Sequence, residues 1–201
     1  MSEESSPKIG VFLCHCGTNI GGVVGMKEVA EYIRGLPHVA YVEENLHTCS
    51  SEGIDSIQEA IKEHELERVV VASCTPRTHE PLFKNACEDA GLNKYLFQMV
   101  NIREQDSWVH KDQKAATEKA KYLVQMAVAK AQFLEPDEDT EIEITPVSLV
   151  VGAGISGLTV ALSIANQGFD VHLVEKEAEL GGMVRKLHKL YPTGEDAGEF
   201  V

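Results

Sequence analysis

Short apolar runs alternate along the chain with longer segments whose apolar positions recur at helical spacing. Strands are predicted at 8–13, 39–46, 68–72 and 95–100, and helices at about 26–35, 51–63, 80–90 and 112–134. Within the second of these helices, Ile54, Ile57 and Ile61 fall on one face. Alternating strands and helices predict an α/β fold, with a parallel sheet covered by helices on both faces.

An acidic, proline-punctuated stretch then interrupts this pattern at 135–144, and Pro146 follows it. Polar, charged segments of this kind separate domains. The alternation resumes with a strand at 146–151, a helix at 158–166 and a strand at 171–174. We therefore expect two domains, an α/β domain at 8–134 and the start of a Rossmann domain at 146–201.

Composition and net charge exclude some classes of binding partner. The chain is 43% hydrophobic and 25% charged, which is ordinary for a globular protein, and its formal net charge is -14. This acidity argues against nucleic acids and against anionic membrane surfaces. The first seven residues are polar and acidic, so we expect a short disordered tail rather than a signal peptide. The expected location is the cytoplasm, where thiols stay reduced.

Four of the five cysteines lie where predicted strands end. Cys14 and Cys16 come at the end of the first strand, Cys49 after the second and Cys74 after the third. Because the carboxyl ends of parallel strands meet at one edge of the sheet, these thiols are expected to gather there. Four thiolates suit either tetrahedral zinc or an iron–sulfur cluster.

Other interpretations of these residues stay open at this point. Some of the four cysteines can be small residues at tight strand ends, and Cys14 with Cys16 can form a redox-active dithiol. Three nearby histidines can substitute as ligands: His15, His47 and His79. Cys87 differs, since it shares a helical stripe with Phe83, Ala86 and Ala90, and we assign it to the core.

The second domain carries a glycine motif in an informative context. Gly152, Gly154 and Gly157 stand between a predicted strand and helix, and Glu175 ends the next strand. This arrangement is the dinucleotide-binding fingerprint. The glycines permit a tight turn, close approach of the backbone to a pyrophosphate and close packing, while the helix N-terminus supplies amide donors. Glu175 would accept hydrogen bonds from a ribose hydroxyl.

The segment after this strand favours FAD over NAD. Glu175 and Lys176 lead into a glycine pair, Gly181 and Gly182. A glutamate at the end of the strand followed by a Gly-Gly loop resembles the two-dinucleotide-binding flavoproteins, such as the thioredoxin reductase family. These residues are therefore candidates for binding the ADP half of FAD in the full-length protein. We expect the present chain to hold FAD poorly, because it contains only the first βαβ of that domain and its exit loop.

Several longer motifs together resemble a single family. They are GVFLCHCG at 10–17, the Cys49-Ser50 turn, VASCTPRTHEP at 71–81, NIRE at 101–104 and SWVH at 107–110. In this order, with the Rossmann segment following, they are similar to the A-subunit of heterodisulfide reductase. The resemblance covers essentially the whole chain from Lys8.

The resemblance implies a flavin-dependent, multi-cluster protein that works with heterodisulfide reductase subunits B and C. In methanogens and related anaerobes, that family takes part in flavin-based electron bifurcation, with ferredoxin and a heterodisulfide as acceptors. It also implies one [4Fe-4S] cluster, which would use Cys14, Cys16, Cys49 and Cys74. It designates no catalytic side chain within this sequence.

The family pattern continues with the rest of a flavoprotein domain and ferredoxin-type cluster motifs, and no such C-x2-C-x2-C-x3-C run occurs here. We therefore expect the chain to be truncated within its FAD domain and inactive as an oxidoreductase by itself. The alternative to a redox module is a zinc-binding or scaffold module that docks partner subunits.

Overall fold

The computed structural model of the chain describes residues 7–200. A four-stranded sheet forms the centre of the first unit. Its strands are β1 (Ile9–Cys14), β2 (Val39–Asn45), β3 (Arg68–Ser73) and β4 (Phe97–Asn101), in the spatial order β2-β1-β3-β4. All three neighbouring pairs are parallel. The predicted parallel-sheet α/β class is thus confirmed.

Helices cover the sheet on both sides. They are α1 (Thr18–Gly21), α2 (Met26–Arg34), α3 (Ser51–Glu63), α4 (Pro76–Asp89) and α5 (Gln113–Ala131). A 3-10 turn at Lys94–Leu96 precedes β4, and a π turn at Arg103–Ser107 follows it. Helices α2 and α5 pack together over one face, while α3 and α4 pack together over the other.

Strand alternation divides the core into two apolar clusters. Ile9, Val11 and Leu13 of β1 point towards α2 and α5, whereas Phe12 points towards α3 and α4. These β1 side chains are fully buried. A central strand buried on both faces explains why its sequence is a continuous apolar run.

The structure differs from the sequence prediction at α4. This helix begins at Pro76, not near Glu80. Proline suits the first position of a helix, because its fixed φ is helical and its missing N–H would have no partner there. The sequence prediction of a helix from about Glu80 therefore starts the helix one turn too late.

The second unit is separated from the first between Asp139 and Thr140. It contains β5 (Val147–Val151), α6 (Ile155–Asn166) and β6 (Asp170–Val174), with 3-10 turns at Gly182–Lys186 and Ala197–Phe200. Strands β5 and β6 are parallel and pair directly. Leu149 and Val151 of β5 are 66% and 77% exposed. No other described residue covers these apolar side chains of the two-stranded sheet.

Within residues 7–200, none of the helices combines the length and apolar character needed to span a bilayer. The predicted disordered tail falls almost entirely on residues 1–6, which lie outside the described residues.

Candidate functional site

The carboxyl edge of the first sheet contains a topological switch point. The chain leaves β1 towards β2 on one side, and β3 lies on the other side of β1. Loops at such a point diverge and leave room for a ligand between them. Cys14 is the last residue of β1, and Cys74 directly follows β3. Neighbouring parallel strands lie only ~5 Å apart, so the structure brings the two segments to the same place.

Backbone hydrogen bonds tie the loop after β1 to the loop after β2. The N–H of His15 donates to the carbonyl of Asn45 at 2.9 Å, and the N–H of Gly17 donates to that of Leu46 at 3.2 Å. The loop after β1 is tightly curled, with Cys16 and Gly17 at φ values of 47° and 57°. This curl returns the chain towards the sheet edge within two residues of Cys14.

The sulfur of Cys14 is the acceptor for two backbone amides. The N–H of Cys16 reaches its Sγ at 3.3 Å, and the N–H of Thr48 reaches it at 3.4 Å. Cys49 follows Thr48, and Ser50 then caps α3 by accepting a hydrogen bond from the N–H of Gly53 at 3.2 Å. The α3 cap therefore holds Cys49 close to the Cys14 loop.

The four thiols influence one another electrostatically. Cys14 and Cys74 are buried, and Cys16 and Cys49 are half-buried. Burial raises the pKa of Cys49 and of Cys74, and negative charge on Cys14 and Cys16 raises both further. The positive charge of the Arg103 guanidinium lowers the pKa of both cysteines and so partly offsets these effects. A single cation therefore opposes the repulsion among the thiolates.

The donor atoms themselves do not converge on one point. Among residues 7–200, no group of three or more His, Cys, Asp or Glu side chains is arranged so that it could hold a metal ion. The structure places all four predicted cysteines at one edge of the sheet, and metal ligation by them stays a prediction.

The polar residues that follow β4 belong to this edge, and the sequence pattern assigned them no role. Arg103 donates from one guanidinium N–H to Sγ of Cys16 at 3.1 Å. Glu104 accepts from the same guanidinium at 2.7 Å. Arg103 and Glu104 could have been found in the sequence by the same criterion as the cysteines. Polar residues directly after a buried strand lie at its carboxyl end.

The remaining candidates lie elsewhere or have other contacts. Cys87 is fully buried in the α3–α4 side of the core, and burial raises its pKa to about 12. His15 Nε2 lies 3.1 Å from a carboxylate oxygen of Glu44. The His79 ring meets the edge of Phe83, with 6.5 Å between centroids. These contacts assign the two histidines to local packing and pairing.

The glycine loop of the second unit has the conformation that its motif predicts. Gly152 has φ 98°, a value that side chains disfavour, and its N–H donates to the carbonyl of Val174 at 2.7 Å. A Cβ atom added at Gly157 would lie 1.8 Å from the carbonyl oxygen of Gly152. At Gly154 a Cβ atom would meet nothing within 4 Å. The first and third glycines are thus required by the fold, while the second keeps the loop surface open.

Glu175 joins the glycine loop to the turn after β6. One carboxylate oxygen accepts from the N–H of Ala153 at 2.7 Å, and the other accepts from the N–H groups of Lys176 and Glu177 at 2.7 and 3.0 Å. These amide donors lower the pKa of Glu175. The carboxylate stays ionised and keeps lone pairs available for a further donor such as a ribose hydroxyl.

The glycine pair lies against the same loop. The N–H of Gly181 donates to the carbonyl of Ala153 at 2.7 Å, and Gly182 has φ 51°. The Lys176 side chain is 87% exposed, so only its backbone contributes to the loop in this structure.

A cleft of about 860 Å³ lies over these residues. The residues that line it include Val151, Gly152, Val174, Glu175, Lys176 and Arg185. Next to it, α6 begins after Gly154 without a side-chain cap and without an acidic residue in its first turn. The first amides of a helix are unpaired within the helix and attract anions. The cleft therefore fits the diphosphate-linked half of a dinucleotide.

Comparison with known families supports this assignment. Residues 150–194 match the family model described as an NAD(P)-binding Rossmann-like domain. The match spans the glycine loop, Glu175 and the glycine pair. The second unit therefore carries a dinucleotide-binding Rossmann segment.

Three curated relatives match almost the whole chain. A protein of Archaeoglobus profundus that is named as similar to the A-subunit of heterodisulfide reductase is 54% identical over 97% of the chain. An iron-sulfur A-subunit of CoB–CoM heterodisulfide reductase from Methanopyrus kandleri is 52% identical over 97%. The A-subunit of a hydrogen-dependent CoB–CoM heterodisulfide and ferredoxin reductase of Methanothermobacter marburgensis is 50% identical over 96%. The chain spans 28–30% of the length of these proteins.

Proposed function

Because this chain belongs to the heterodisulfide reductase A-subunit family over nearly its whole length, we propose that it is an electron-transfer module of a heterodisulfide reductase-type, flavin-based electron-bifurcating complex. In this proposal the first unit holds a [4Fe-4S] cluster and the second unit holds the ADP half of FAD. We assign no catalytic side chain to the chain, and its contribution to the oxidoreductase is to bind and position redox cofactors.

The observation that carries the proposal is the placement of the four cysteines. Cys14, Cys16, Cys49 and Cys74 come from three different strand ends and lie at one edge of one sheet. Cysteines that served only as small core residues would be expected at scattered positions in the core and not together at the switch point. The name of the Methanopyrus kandleri relative includes the term iron-sulfur, which favours a cluster as the occupant of this edge.

The surroundings of the thiols can stabilise negative charge on sulfur. Two backbone amides already donate to Sγ of Cys14, and Arg103 donates to Sγ of Cys16. Such donors stabilise negatively charged sulfur and tune the potential of a cluster. Leu13 and Phe12 beneath the edge are fully buried, so the sheet side of the site excludes water. A bound cluster would supply one-electron transfer at this edge.

The proposal for the flavin rests on the glycine loop and Glu175. The backbone of the loop can approach a pyrophosphate, the N-terminus of α6 offers amides to it, and the Glu175 carboxylate is ionised and positioned by Ala153. The matched family model names NAD(P). We propose FAD because the Gly181-Gly182 loop contacts the glycine loop directly, as in the flavoproteins that the sequence resembles.

The proposed partners are heterodisulfide reductase subunits B and C and an electron-donor or ferredoxin protein. The name of the Methanothermobacter marburgensis relative includes both heterodisulfide and ferredoxin, which supports the second class of partner. All five cysteines are free thiols, as expected in the cytoplasm. The net charge of -14 gives no support to nucleic-acid or membrane partners.

The test of the cluster is metal analysis of the 201-residue chain prepared without oxygen. We expect about four iron and four sulfide per chain and an electron paramagnetic resonance signal after reduction. Replacement of Cys74 by Ala should sharply reduce the iron content. Cys87→Ala is the matched control, because Cys87 is also buried but lies in the helical core, and this variant should keep its iron.

Two results would overturn the assignment. A colourless protein that binds zinc in place of iron would favour the zinc or scaffold module. Undiminished iron in both Cys49→Ala and Cys74→Ala would show that these thiols are not the ligands.

A further inference from the structure

A short 3-10 turn, Gly182–Lys186, contributes to the wall of the cleft beside the glycine loop. Gly181, which precedes the turn, pairs with Gly154 in a parallel bridge, and its N–H donates to the carbonyl of Ala153 at 2.7 Å. Val184 within the turn is buried, and its N–H donates to the carbonyl of Gly181 at 3.1 Å. The backbone of the turn is therefore fixed relative to the loop that a diphosphate would approach.

Arg185 follows Val184 and places a cation in this cleft. Its side chain is 44% exposed and lines the cleft together with Gly152 and Glu175. The guanidinium forms an ion pair with the carboxylate of Glu179, an exposed residue that lines the same cleft. Because ion pairs that are open to water contribute little free energy, the guanidinium can exchange this carboxylate for another anion at little cost.

The charges around the cleft leave a diphosphate without a full counter-ion. The carboxylates of Glu175, Glu177 and Glu179 line the cleft. The amides at the start of α6 offer only partial positive charge, equivalent to roughly half an elementary charge. A diphosphate is itself anionic, so binding it beside these carboxylates calls for a cation. A guanidinium is well suited, because two of its N–H groups match two phosphate oxygens.

The lysines that line the cleft are less suited to this role. The Lys176 side chain is 87% exposed, and its Nζ lies 3.6 Å from Oε1 of Glu177. Lys186 ends the 3-10 turn and is also exposed. An ammonium binds phosphate as a point charge, whereas the planar guanidinium of Arg185 binds it in a fixed orientation. Among the cations that line the cleft, Arg185 therefore matches a diphosphate best.

We infer that Arg185 is a phosphate-binding residue of the dinucleotide site, and that Glu179 pairs with its guanidinium until the nucleotide binds. The inference deepens the proposed function and rests on it. On binding, the guanidinium exchanges the Glu179 carboxylate for phosphate oxygens, and no covalent bond changes. Glu179 therefore competes with the ligand. Its removal should strengthen nucleotide binding, whereas the loss of Arg185 should weaken it.

The experiment measures the binding of adenosine diphosphate and of adenosine to the 201-residue chain at one ionic strength. Adenosine diphosphate carries the phosphates that Arg185 would bind and adenosine lacks them, so the ratio of the two dissociation constants isolates the phosphate contact. Ligand-observed nuclear magnetic resonance measures both constants even where binding is weak. Arg185→Gln should raise the dissociation constant of adenosine diphosphate about tenfold and leave that of adenosine unchanged.

Two further variants and a matched control sharpen this result. Arg185→Lys keeps the charge but loses the planar fork, so it should recover part of the affinity for adenosine diphosphate. Glu179→Gln removes the competing carboxylate and should lower the dissociation constant of adenosine diphosphate about two- to fivefold. The control is Lys189→Gln, which removes the same charge at an exposed position outside the set of described residues that line the cleft. This variant should bind adenosine diphosphate like the wild type.

The outcomes distinguish the inference from the proposed function. If the wild-type chain binds neither adenosine diphosphate nor FAD, the dinucleotide part of the proposed function is wrong, and the inference is wrong with it. If the wild type binds adenosine diphosphate and Arg185→Gln binds it equally well, the inference is wrong while the dinucleotide site stands. The same holds if Lys186→Gln alone loses the affinity. Equal losses for adenosine diphosphate and adenosine in Arg185→Gln would show a structural role for Arg185 and would also overturn the inference.

Discussion

Nδ1 of His110 lies 3.1 Å from Oδ1 of Asp106, a carboxylate that the fold buries completely. The same ring nitrogen is 2.9 Å from the backbone carbonyl of Asp106. Neither carboxylate oxygen has a hydrogen-bond partner of good geometry among the described residues. Asp106 is therefore a buried acid whose charge is compensated by the nearby charges of His110 and Lys119 and not by well-formed hydrogen bonds among the described residues.

This arrangement makes stability depend on pH. Burial raises the pKa of Asp106 above its ordinary value of 3.8, while His110 and Lys119 oppose the rise. The folded state therefore binds the Asp106 proton more tightly than the unfolded chain does. The side chain favours folding most at low pH, and its contribution declines as the pH rises from about 4 through the pKa of the folded state.

Asp106→Asn tests this dependence, because asparagine does not titrate. The difference in free energy of unfolding, wild type minus variant, should fall as the pH rises from about 4 through the pKa of Asp106 in the folded state. Urea denaturation at several pH values measures it. Asp55→Asn, at an exposed position of α3, should show no such trend. A difference that increases with pH would contradict the assignment.

Cys87 should be the least reactive thiol of the native chain. It is fully buried, and burial raises its pKa to about 12. Since the thiolate is the nucleophile, alkylation of the metal-free protein at about pH 8 should label half-buried Cys16 and Cys49 about a hundredfold faster than Cys87. Mass spectrometry of digested samples gives the order of labelling. Equal labelling of Cys87 without denaturant would be incompatible with the core position.

The glycine motif predicts opposite effects for two alanine substitutions. Gly157→Ala places a Cβ atom 1.8 Å from the carbonyl oxygen of Gly152, so α6 and the loop must separate. We expect it to destabilise the second unit by about 2–4 kcal/mol. Gly154 has φ -73° and open space around it, so Gly154→Ala should fold normally.

The same two variants separate folding from nucleotide binding. A methyl group at Gly154 projects from the surface that a pyrophosphate would approach, so this variant should bind FAD at least about tenfold more weakly while keeping wild-type stability. Flavin fluorescence measures the first property and thermal unfolding the second. Wild-type affinity in Gly154→Ala would place the diphosphate elsewhere.

Glu175→Gln should weaken FAD binding through the loss of a charged acceptor. The two carboxylate oxygens accept from Ala153, Lys176 and Glu177, and an amide NH₂ group would face at least one of these N–H donors. A dissociation constant about tenfold higher is expected, since hydrogen bonds to charged groups contribute about 1.5–3 kcal/mol. Glu177→Gln is the control in the same turn, because Glu177 enters this network through its backbone. Equal losses in both variants would indicate a general charge effect.

Much of this architecture can be predicted from the sequence because its causes are local. The continuous apolar run of β3 predicts a strand buried on both faces, and the spacing of Ile54, Ile57 and Ile61 predicts a helix. The glycine motif specifies its own turn, since only glycine accepts the φ of Gly152. The predicted start of α4 is wrong because the prediction did not use Pro76 as a helix start, although proline is favoured at that helical position.

The sequence by itself determined the fold class, the dinucleotide loop and the collection of four cysteines at one sheet edge, since each follows from strand ends and local backbone preferences. Only the tertiary structure decided that Arg103 contacts Cys16, a residue 87 positions away, and that Asp106 is buried beside His110. Both depend on how the π turn after β4 packs against α1 and α5. That packing is a sum of contacts between segments distant in sequence, and no local pattern encodes it.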